Sequence, residues 1–237
     1  MQTRENTAYS GLTELLNVEA SMRGYNAFIV NHFVRELSGC RKVADFGAGI
    51  GTLAEIFADK TGRLPSCVEI DETNKAILGQ RGFPVYDTID AMPDGLDGFF
   101  SSNVLEHIED DVSVLKQMHA KLAPGGKVAL YLPAFQVLYS GLDESVGHYR
   151  RYGRKEICSK LKQAGFQVNK VRFVDCIGFF ASLLVRFWGY NPQDGLGSQA
   201  SLNFYDKFVF PVSREIDALG LRMLFGKNIL VIAEKPA

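Results

Sequence analysis

The chain has 237 residues, a length that one α/β domain with at most an appended lobe occupies. Hydrophobic residues make up 46%, enough for a sizeable core, and a formal net charge of −1 with acids and bases interspersed carries no nucleic-acid footprint. No apolar run approaches the roughly 18 residues of a spanning helix, so a soluble chain, at most peripheral to a membrane, is expected.

The first ten residues lack the apolar core of a secretion signal. Cys40, Cys67, Cys158 and Cys176 are scattered, with no C-x-x-C and no clustered histidines, so the sequence predicts a reducing, cytoplasmic setting and no metal. Leu12, Leu15 and Leu16, then Tyr25, Phe28, Ile29, Phe33 and Leu37, recur at helical spacing. They predict two amphipathic helices within residues 1–40, divided at Gly24, that cap a ligand cleft. Tyr9 or Tyr25 could touch a ligand, although core packing is the commoner role for tyrosines at that spacing.

The stretch Val43–Leu53, V-A-D-F-G-A-G-I-G-T-L, reads as strand, tight turn and helix. Gly47, Gly49 and Gly51 let the backbone turn sharply and let a ligand approach it. A pyrophosphate fingerprint would need glycine where Thr52 stands, and Asp45 at the mouth of the turn repels a pyrophosphate while favouring a cationic ligand. The helix is expected to end near Thr61-Gly62.

Cys67–Asp71 reads as a second strand with Glu69 at its carboxyl end, about 20 residues beyond the turn, where a carboxylate can accept both ribose hydroxyls of a nucleoside. Asp71 suits the N-cap of a helix over 72–80. Phe83–Tyr86 predicts a third strand, closing on Asp87 and Thr88. Leu96–Asn103 predicts a central fourth strand that delivers Asn103 to the cleft, with Glu106 and His107 within the next turn. A structural role and a catalytic one are equally open for His107. A helix beginning at Asp110-Asp111 should stop at Pro124-Gly125-Gly126, before a fifth strand ending at Pro133.

From Val43 to Pro133 these elements, in this order, resemble the class I S-adenosylmethionine-dependent methyltransferases. The resemblance rests on D-x-G-x-G-x-G at 45–51, on V-L-E-H-I-E-D-D after the fourth strand and on L-A-P-G-G-K-V-A-L-Y-L-P into the fifth. It implies a doubly wound, seven-stranded, mostly parallel α/β sheet whose last strand inserts antiparallel beside the fifth. It also implies S-adenosylmethionine as cofactor, with contacts at Asp45, Gly47, Gly49, Glu69, Ile70 and Asn103. Asp87 or Thr88 would hold the adenine amino group.

Residues 134–153 form a long loop dense in aromatic, histidine and arginine residues, which in a compact domain points to function. A helix over 154–164 and a strand over 166–174 follow. The apolar run from Cys176 predicts a buried helix of a lid or dimer contact, or alternatively a peripheral membrane or lipid-substrate surface. Asn191–Ser201 suits a mobile loop, Pro211–Leu224 a helix, and 229–235 the closing strand. A single domain is expected, with an N-terminal cap (1–40), a cofactor core (41–175), a helical cap (176–226) and a last strand (227–237).

Methyl transfer is an in-line displacement that aligned binding accelerates. If the acceptor is a hydroxyl or amine, His148 is the first candidate to take its proton and His107 the second. Tyr149, Arg150 and Arg151 are the candidates for holding an acceptor, which would be a small molecule, a glycan or a lipid-linked group in that order. The competing reading is a binding protein that keeps the cofactor fold without catalysis. The expected ligand preference is checked by calorimetry: S-adenosylhomocysteine should bind and NAD should not, and tight NAD binding with no heat from S-adenosylhomocysteine would overturn the reading of the turn.

Overall fold

A computed structural model describes residues 12–188 and 198–237. Seven strands form one sheet in the order β3-β2-β1-β4-β5-β7-β6. These are β1 (Val43–Phe46), β2 (Ser66–Val68), β3 (Val85–Tyr86), β4 (Leu96–Ser102), β5 (Leu122–Pro133), β6 (Gln167–Val174) and β7 (Asn228–Glu234). β7 runs antiparallel to β5 and β6, and the pairs from β3 to β5 are parallel, as expected. The order reverses between β1 and β4. In open α/β sheets the crevice beyond the strand carboxyl ends at such a point is where ligands bind.

Alternation along the central strands feeds two cores. Phe99, Val128, Leu130 and Val231 face one side, packed with Leu115 and Met118 of α5 (Asp111–Lys121) and Ile157 and Leu161 of α7 (Arg154–Gln163). Phe100, Ala129, Tyr131 and Leu230 face the other, with Ile29 and Phe33 of α2 (Arg23–Glu36) and Phe57 of α3 (Thr52–Thr61). Burial on both faces is why β5 and β7 carry the nearly continuous apolar runs V-A-L-Y-L-P and I-L-V-I-A. Phe100 is stacked between Phe33 and Phe57, with ring centroids at 5.2 and 5.0 Å.

Several boundaries differ from expectation for local reasons. The break between α1 (Leu12–Ser21) and α2 falls at Met22, and Gly24 lies in the first turn of α2. There the N–H groups of Gly24 and Tyr25 donate to Asp206 at 2.9 and 2.7 Å. A Cβ on Gly24 would stand 3.1 Å from that carboxylate, so the glycine permits a close approach and does not end a helix. β2 stops at Val68, because Glu69 captures the N–H groups of Ile70 and Asp71 with its own side chain. α5 stops at Lys121, before the Pro-Gly-Gly signal. Leu122 turns extended and pairs with Leu96, and the register shifts before pairing resumes at Lys127 with Gly98. Asp71 does cap α4 (Glu72–Gln80), accepting from the Asn74 N–H at 2.9 Å.

The 134–153 stretch is ordered, with a 3-10 turn at Gln136–Leu138 and the short helix α6 (Gly141–Ser145). Its ends meet where Ala134 bridges Tyr152. Buried Asp111 accepts from the Tyr152 hydroxyl at 2.8 Å, the Lys160 ammonium at 2.6 Å and the Arg150 guanidinium at 2.8 Å, which ties the stretch to α5 and α7.

The helical cap consists of α8 (Cys176–Trp188), α9 (Gln199–Phe204) and α10 (Phe210–Ala218), the last two joined through a π-helical turn at Tyr205–Val209. The Phe210 N–H reaches back to the Tyr205 carbonyl, and this wide turn accommodates Pro211, whose ring would crowd a regular i−4 carbonyl. Phe210 is fully buried in the core shared with α2 and Tyr131, so α10 packs into the same core as the sheet. Of the loop expected at Asn191–Ser201, residues 191–197 lie outside the described residues, as does Tyr9, and Ser198 instead N-caps α9. Among the described residues no helix is long and apolar enough to cross a membrane.

Candidate active site

The three non-glycine residues with left-handed backbone among the described ones are Asn103, Phe135 and Asp175, at φ of 54°, 61° and 70°. They follow the carboxyl ends of β4, β5 and β6 respectively, so the strain collects along one edge of the sheet. Backbone strain concentrated at a ligand crevice is the pattern expected of a functional edge.

The glycine turn occupies the β1 part of this edge. Gly47, Gly49 and Gly51 all have positive φ, and a Cβ on Gly47 would overlap Val104 while one on Gly51 would come 2.8 Å from Leu78. Leu15 of α1 lies over Gly49, and Glu19 of the same helix accepts from Thr52 at 2.9 Å and from Arg81 at 2.8 Å. Thr52, the residue that departs from a pyrophosphate fingerprint, therefore anchors the helix covering the turn.

Two carboxylates define the polarity of this half. Glu69 accepts from Gly49 N–H at 2.7 Å, Ile70 N–H at 2.8 Å and Asp71 N–H at 2.9 Å. It thus clamps the turn to the end of β2, and about one of its four acceptor positions remains for a ligand. Asp45 is buried, makes no hydrogen bond to a described residue, and leaves Oδ2 wholly unpartnered. Burial first and the neighbouring Glu69 second push its carboxyl well above the usual range. A buried acid without a donor at the mouth of a backbone turn fits a ligand that brings its own positive charge.

The other predicted contacts here are more exposed. Ile70 presents an apolar side chain that is 82% exposed. Asp87 is paired with Lys75 at 2.6 Å, and the Thr88 hydroxyl accepts from Ala91 N–H at 3.3 Å. Asn103 is exposed, with its amide on the Ser102 hydroxyl at 3.2 Å.

Past Asn103, the fold assembles a cluster from residues 41 positions apart. The rings of His107 and His148 meet edge to face, with centroids at 4.6 Å. His148 Nδ1 bonds to Asp143 Oδ1 at 2.8 Å, and its Nε2 lies 3.9 Å from Glu106 Oε1. Glu106 is completely buried and neither carboxylate oxygen has a partner in another described residue. Burial is the main cause that raises its carboxyl to about 8, against the lowering pull of its own backbone hydrogen bond and of Arg151. His107 is pushed down to about 4, first by the loss of water around its ring and then by His148. Asp143 is held at about 2, because bonds from His148 and Arg151 outweigh the opposing effect of burial.

Tyr149, Arg150 and Arg151 differ in what they have left to offer. Tyr149 is 54% exposed, and its N–H holds the Glu106 carbonyl at 2.8 Å. Arg150 spends its guanidinium on Asp111 and on the carbonyls of Ile108 and Glu109. Arg151 is buried, with Nε on Asp143 at 2.8 Å and Nη1 unpartnered. Tyr25 reaches the edge by bonding the Tyr131 hydroxyl at 2.8 Å and the Asn228 amide at 2.6 Å, a pin between α2 and the sheet.

Sequence reasoning missed Asp143, which orients His148. It also missed Asp175, which accepts from the hydroxyls of Tyr205 and Ser213 at 2.6 and 2.9 Å and fastens the cap to β6. Asp143 lies in a polar segment that carries no local signal of such partners, whereas the apolar residues around Asp175, V-R-F-V-D-C-I-G-F-F, were the signal that could have found it.

Fold and edge together define a Rossmann-like methyltransferase of class I. The sequence of residues 19–171, more than half of the chain, matches the family described as methyltransferase domain, and the chain belongs to that family, with S-adenosylmethionine as its cofactor. A search of curated proteins returns no match. Among solved structures, the chain resembles a SAM-dependent methyltransferase from Archaeoglobus fulgidus at 22% identity and TM-score 0.63, over 94% of this chain and 99% of that one. It resembles the [4+2]-cyclase SpnF at 16% identity and TM-score 0.62, over 97% and 94%. A phosphoethanolamine N-methyltransferase 2 from Haemonchus contortus, in complex with S-adenosyl-L-methionine, aligns at 21% identity and TM-score 0.55, over 83% of this chain and 49% of that one. At these identities the structural likeness establishes the fold.

The raised Glu106 carboxyl has a measurable consequence for stability. Unfolded, it ionises near its ordinary 4.5, and folded it does so near 8. Between these values the folded state keeps a proton that the unfolded state has lost, so this group makes stability fall as pH rises and then level off above about 8. Glu106→Gln should remove that slope. The melting temperatures of variant and wild type should converge near about pH 5 and separate in favour of the variant toward pH 8, and parallel curves would show that Glu106 ionises normally.

Proposed function

We propose that this chain transfers the methyl group of S-adenosylmethionine to a hydroxyl or amine of a small-molecule acceptor, with glycan and lipid-linked acceptors as further candidates. The observation that carries the reading is buried Asp45, a carboxylate with no donor among the described residues, beside a glycine turn that is itself clamped by Glu69.

In this reading the cationic methionine part of the cofactor supplies the charge that Asp45 lacks. The turn at Gly47 and Gly49 lets it approach the backbone, and Glu69 accepts from the ribose with its remaining lone pair. Asp87 and Thr88 lie by the adenine, with Ile70 against its face and Asn103 near the methionine end. The same carboxylate pair disfavours a pyrophosphate.

The acceptor enters from the side of α6, past exposed Tyr149, while Arg150 keeps the segment folded and Arg151 steadies Asp143. The acceptor atom attacks the methyl carbon in line with the carbon–sulfur bond. That bond breaks with its electron pair left on sulfur, giving S-adenosylhomocysteine. The proton of the acceptor leaves through the Glu106–His107–His148 cluster, where Asp143 holds Nδ1 of His148 and leaves Nε2, on the Glu106 side, to take it. Alignment supplies most of the acceleration, and removal of the proton adds to it. A cytoplasmic setting without nucleic-acid partners goes with this reading.

Glu69→Ala tests the cofactor half. It should weaken S-adenosylhomocysteine binding by about 1.5–3 kcal/mol, the range for a hydrogen bond to a charged group, and lower the melting temperature because the turn loses its clamp. Unchanged affinity by calorimetry would remove Glu69 from the cofactor site. His148→Ala tests the acceptor half. With an acceptor found by screening hydroxyl and amine compounds for S-adenosylhomocysteine release, it should bind cofactor normally and turn over about 10²–10⁴-fold more slowly. Wild-type turnover would assign the cluster to structure alone, and no product from any acceptor would favour the non-catalytic binding protein.

A further inference from the structure

The Glu106–His107–His148 cluster has more order than proton removal requires. Each residue offers one ligand atom, and the three atoms lie within 4.8 Å of one another. Glu106 is fully buried with both oxygens unpartnered, which is costly unless something positive meets them. His148 is held from behind, with Nδ1 on Asp143 and Nε2 turned toward Glu106. A carboxylate behind one imidazole nitrogen, with the other nitrogen left free, is how proteins orient metal-binding histidines. His107 is exposed and lies against the carbonyls of Val146 and Gly147, with its ring edge to face on that of His148.

We propose that Glu106, His107 and His148 form a site for a divalent first-row transition-metal ion. Two imidazoles and one carboxylate suit Zn²⁺, Fe²⁺ or Mn²⁺, whereas Mg²⁺ and Ca²⁺ prefer shells of oxygen. Ligand distances of about 2.0–2.2 Å require the three donors to draw together by roughly 1 Å. His107, the exposed residue of the 3-10 turn at Leu105–His107, is the member placed to move.

The surrounding charges are compatible with an ion. Asp143 contributes one negative charge and Glu106 a second once an ion displaces its proton, while Arg151 contributes one positive charge already engaged by Asp143 through Nε. Lys227 is the other cation that acts on this group, through its interactions with Asp143 and Arg151. The competing way to satisfy Glu106 is the unpartnered Nη1 of Arg151, and the experiment below separates the two.

Three protein ligands leave coordination positions open toward the cleft. With the three donors on the ion, an acceptor hydroxyl bound there would release its proton to bulk water in place of the His148 route and present its oxygen as an anion to the methyl carbon, with the ion unchanged in oxidation state. This last step rests on the methyl-transfer reading. Metal binding does not.

The test is titration of the chelator-stripped full chain with Co²⁺ alone, followed by the visible d–d absorption of a nitrogen- and oxygen-ligated ion and by its displacement with Zn²⁺. A stoichiometric band is expected. It should be lost in Glu106→Gln, His107→Ala and His148→Ala, retained when the two remaining histidines are replaced as His32→Ala and His119→Ala, and weakened about 10–100-fold in affinity by Asp143→Asn, which removes charge from behind His148.

Absence of the band, or its survival in Glu106→Gln and His107→Ala, would overturn the proposal. Because His107 is exposed, its variant serves even if a buried substitution fails to fold. Methyl transfer measured in parallel keeps the two claims apart. Turnover by chelator-treated protein that binds no cobalt would leave the proposed function standing and remove the ion. Cobalt binding without turnover on any acceptor would leave the ion and remove the methyl-transfer role.

Discussion

Carboxylates taken out of water set the terms for the rest of this structure. Seven are buried among the described residues, Asp45, Glu69, Glu106, Asp111, Asp143, Asp175 and Asp217, against one buried guanidinium, that of Arg151. A buried acid costs several kcal/mol unless donors or cations meet it. The chain meets five of them with its own groups. Asp45 and Glu106 are left with unpaired oxygens, one on each side of the edge where β1 and β4 diverge.

The five satisfied acids are what make that edge rigid. Glu69 joins the glycine turn to β2, and Asp111 joins the 134–153 stretch to α5 and α7. Asp143 orients His148, while Asp175 and Asp217 fasten the cap to the end of β6, Asp217 accepting from the N–H groups of Asp175 and Cys176 at 2.7 and 3.2 Å. Asp143 closes its own loop, and the other four tie together segments that are distant in sequence, so the crevice walls cannot shift independently. Rigid walls matter for a displacement whose rate depends on alignment, because a misplacement of about 1 Å is costly.

The two unsatisfied acids differ in what they ask for. Asp45 faces a backbone turn with Glu69 as its charged neighbour and no cation beside it among the described residues, which suits a cation fixed in a ligand. Glu106 faces two imidazoles, one of them oriented by a second carboxylate, which suits a mobile proton or an ion. This division matches a reaction with a cationic donor on one side and an acceptor that must lose a proton on the other. The fold alone would not decide the chemistry, since a [4+2]-cyclase shares it.

The strand–turn–helix at Val43–Leu53, the two-sided burial of β4 and β5 and the N-cap at Asp71 were legible in the residues, because each follows from local conformational preference or from a period set by the backbone. The placing of two carboxylates, Asp45 and Glu69, beside the glycine turn was legible too, through their distance from the glycines. Tertiary structure alone decided that His107 and His148 meet, since a separation of 41 residues is closed by the bridge between Ala134 and Tyr152 and the Asp111 hub. It also decided that Arg150 is spent on Asp111 while Arg151 keeps a free donor, and that Glu106 rather than an exposed acid lacks a partner. Such outcomes depend on desolvation and on which donors remain after packing, and neither quantity is defined until the chain has closed around them.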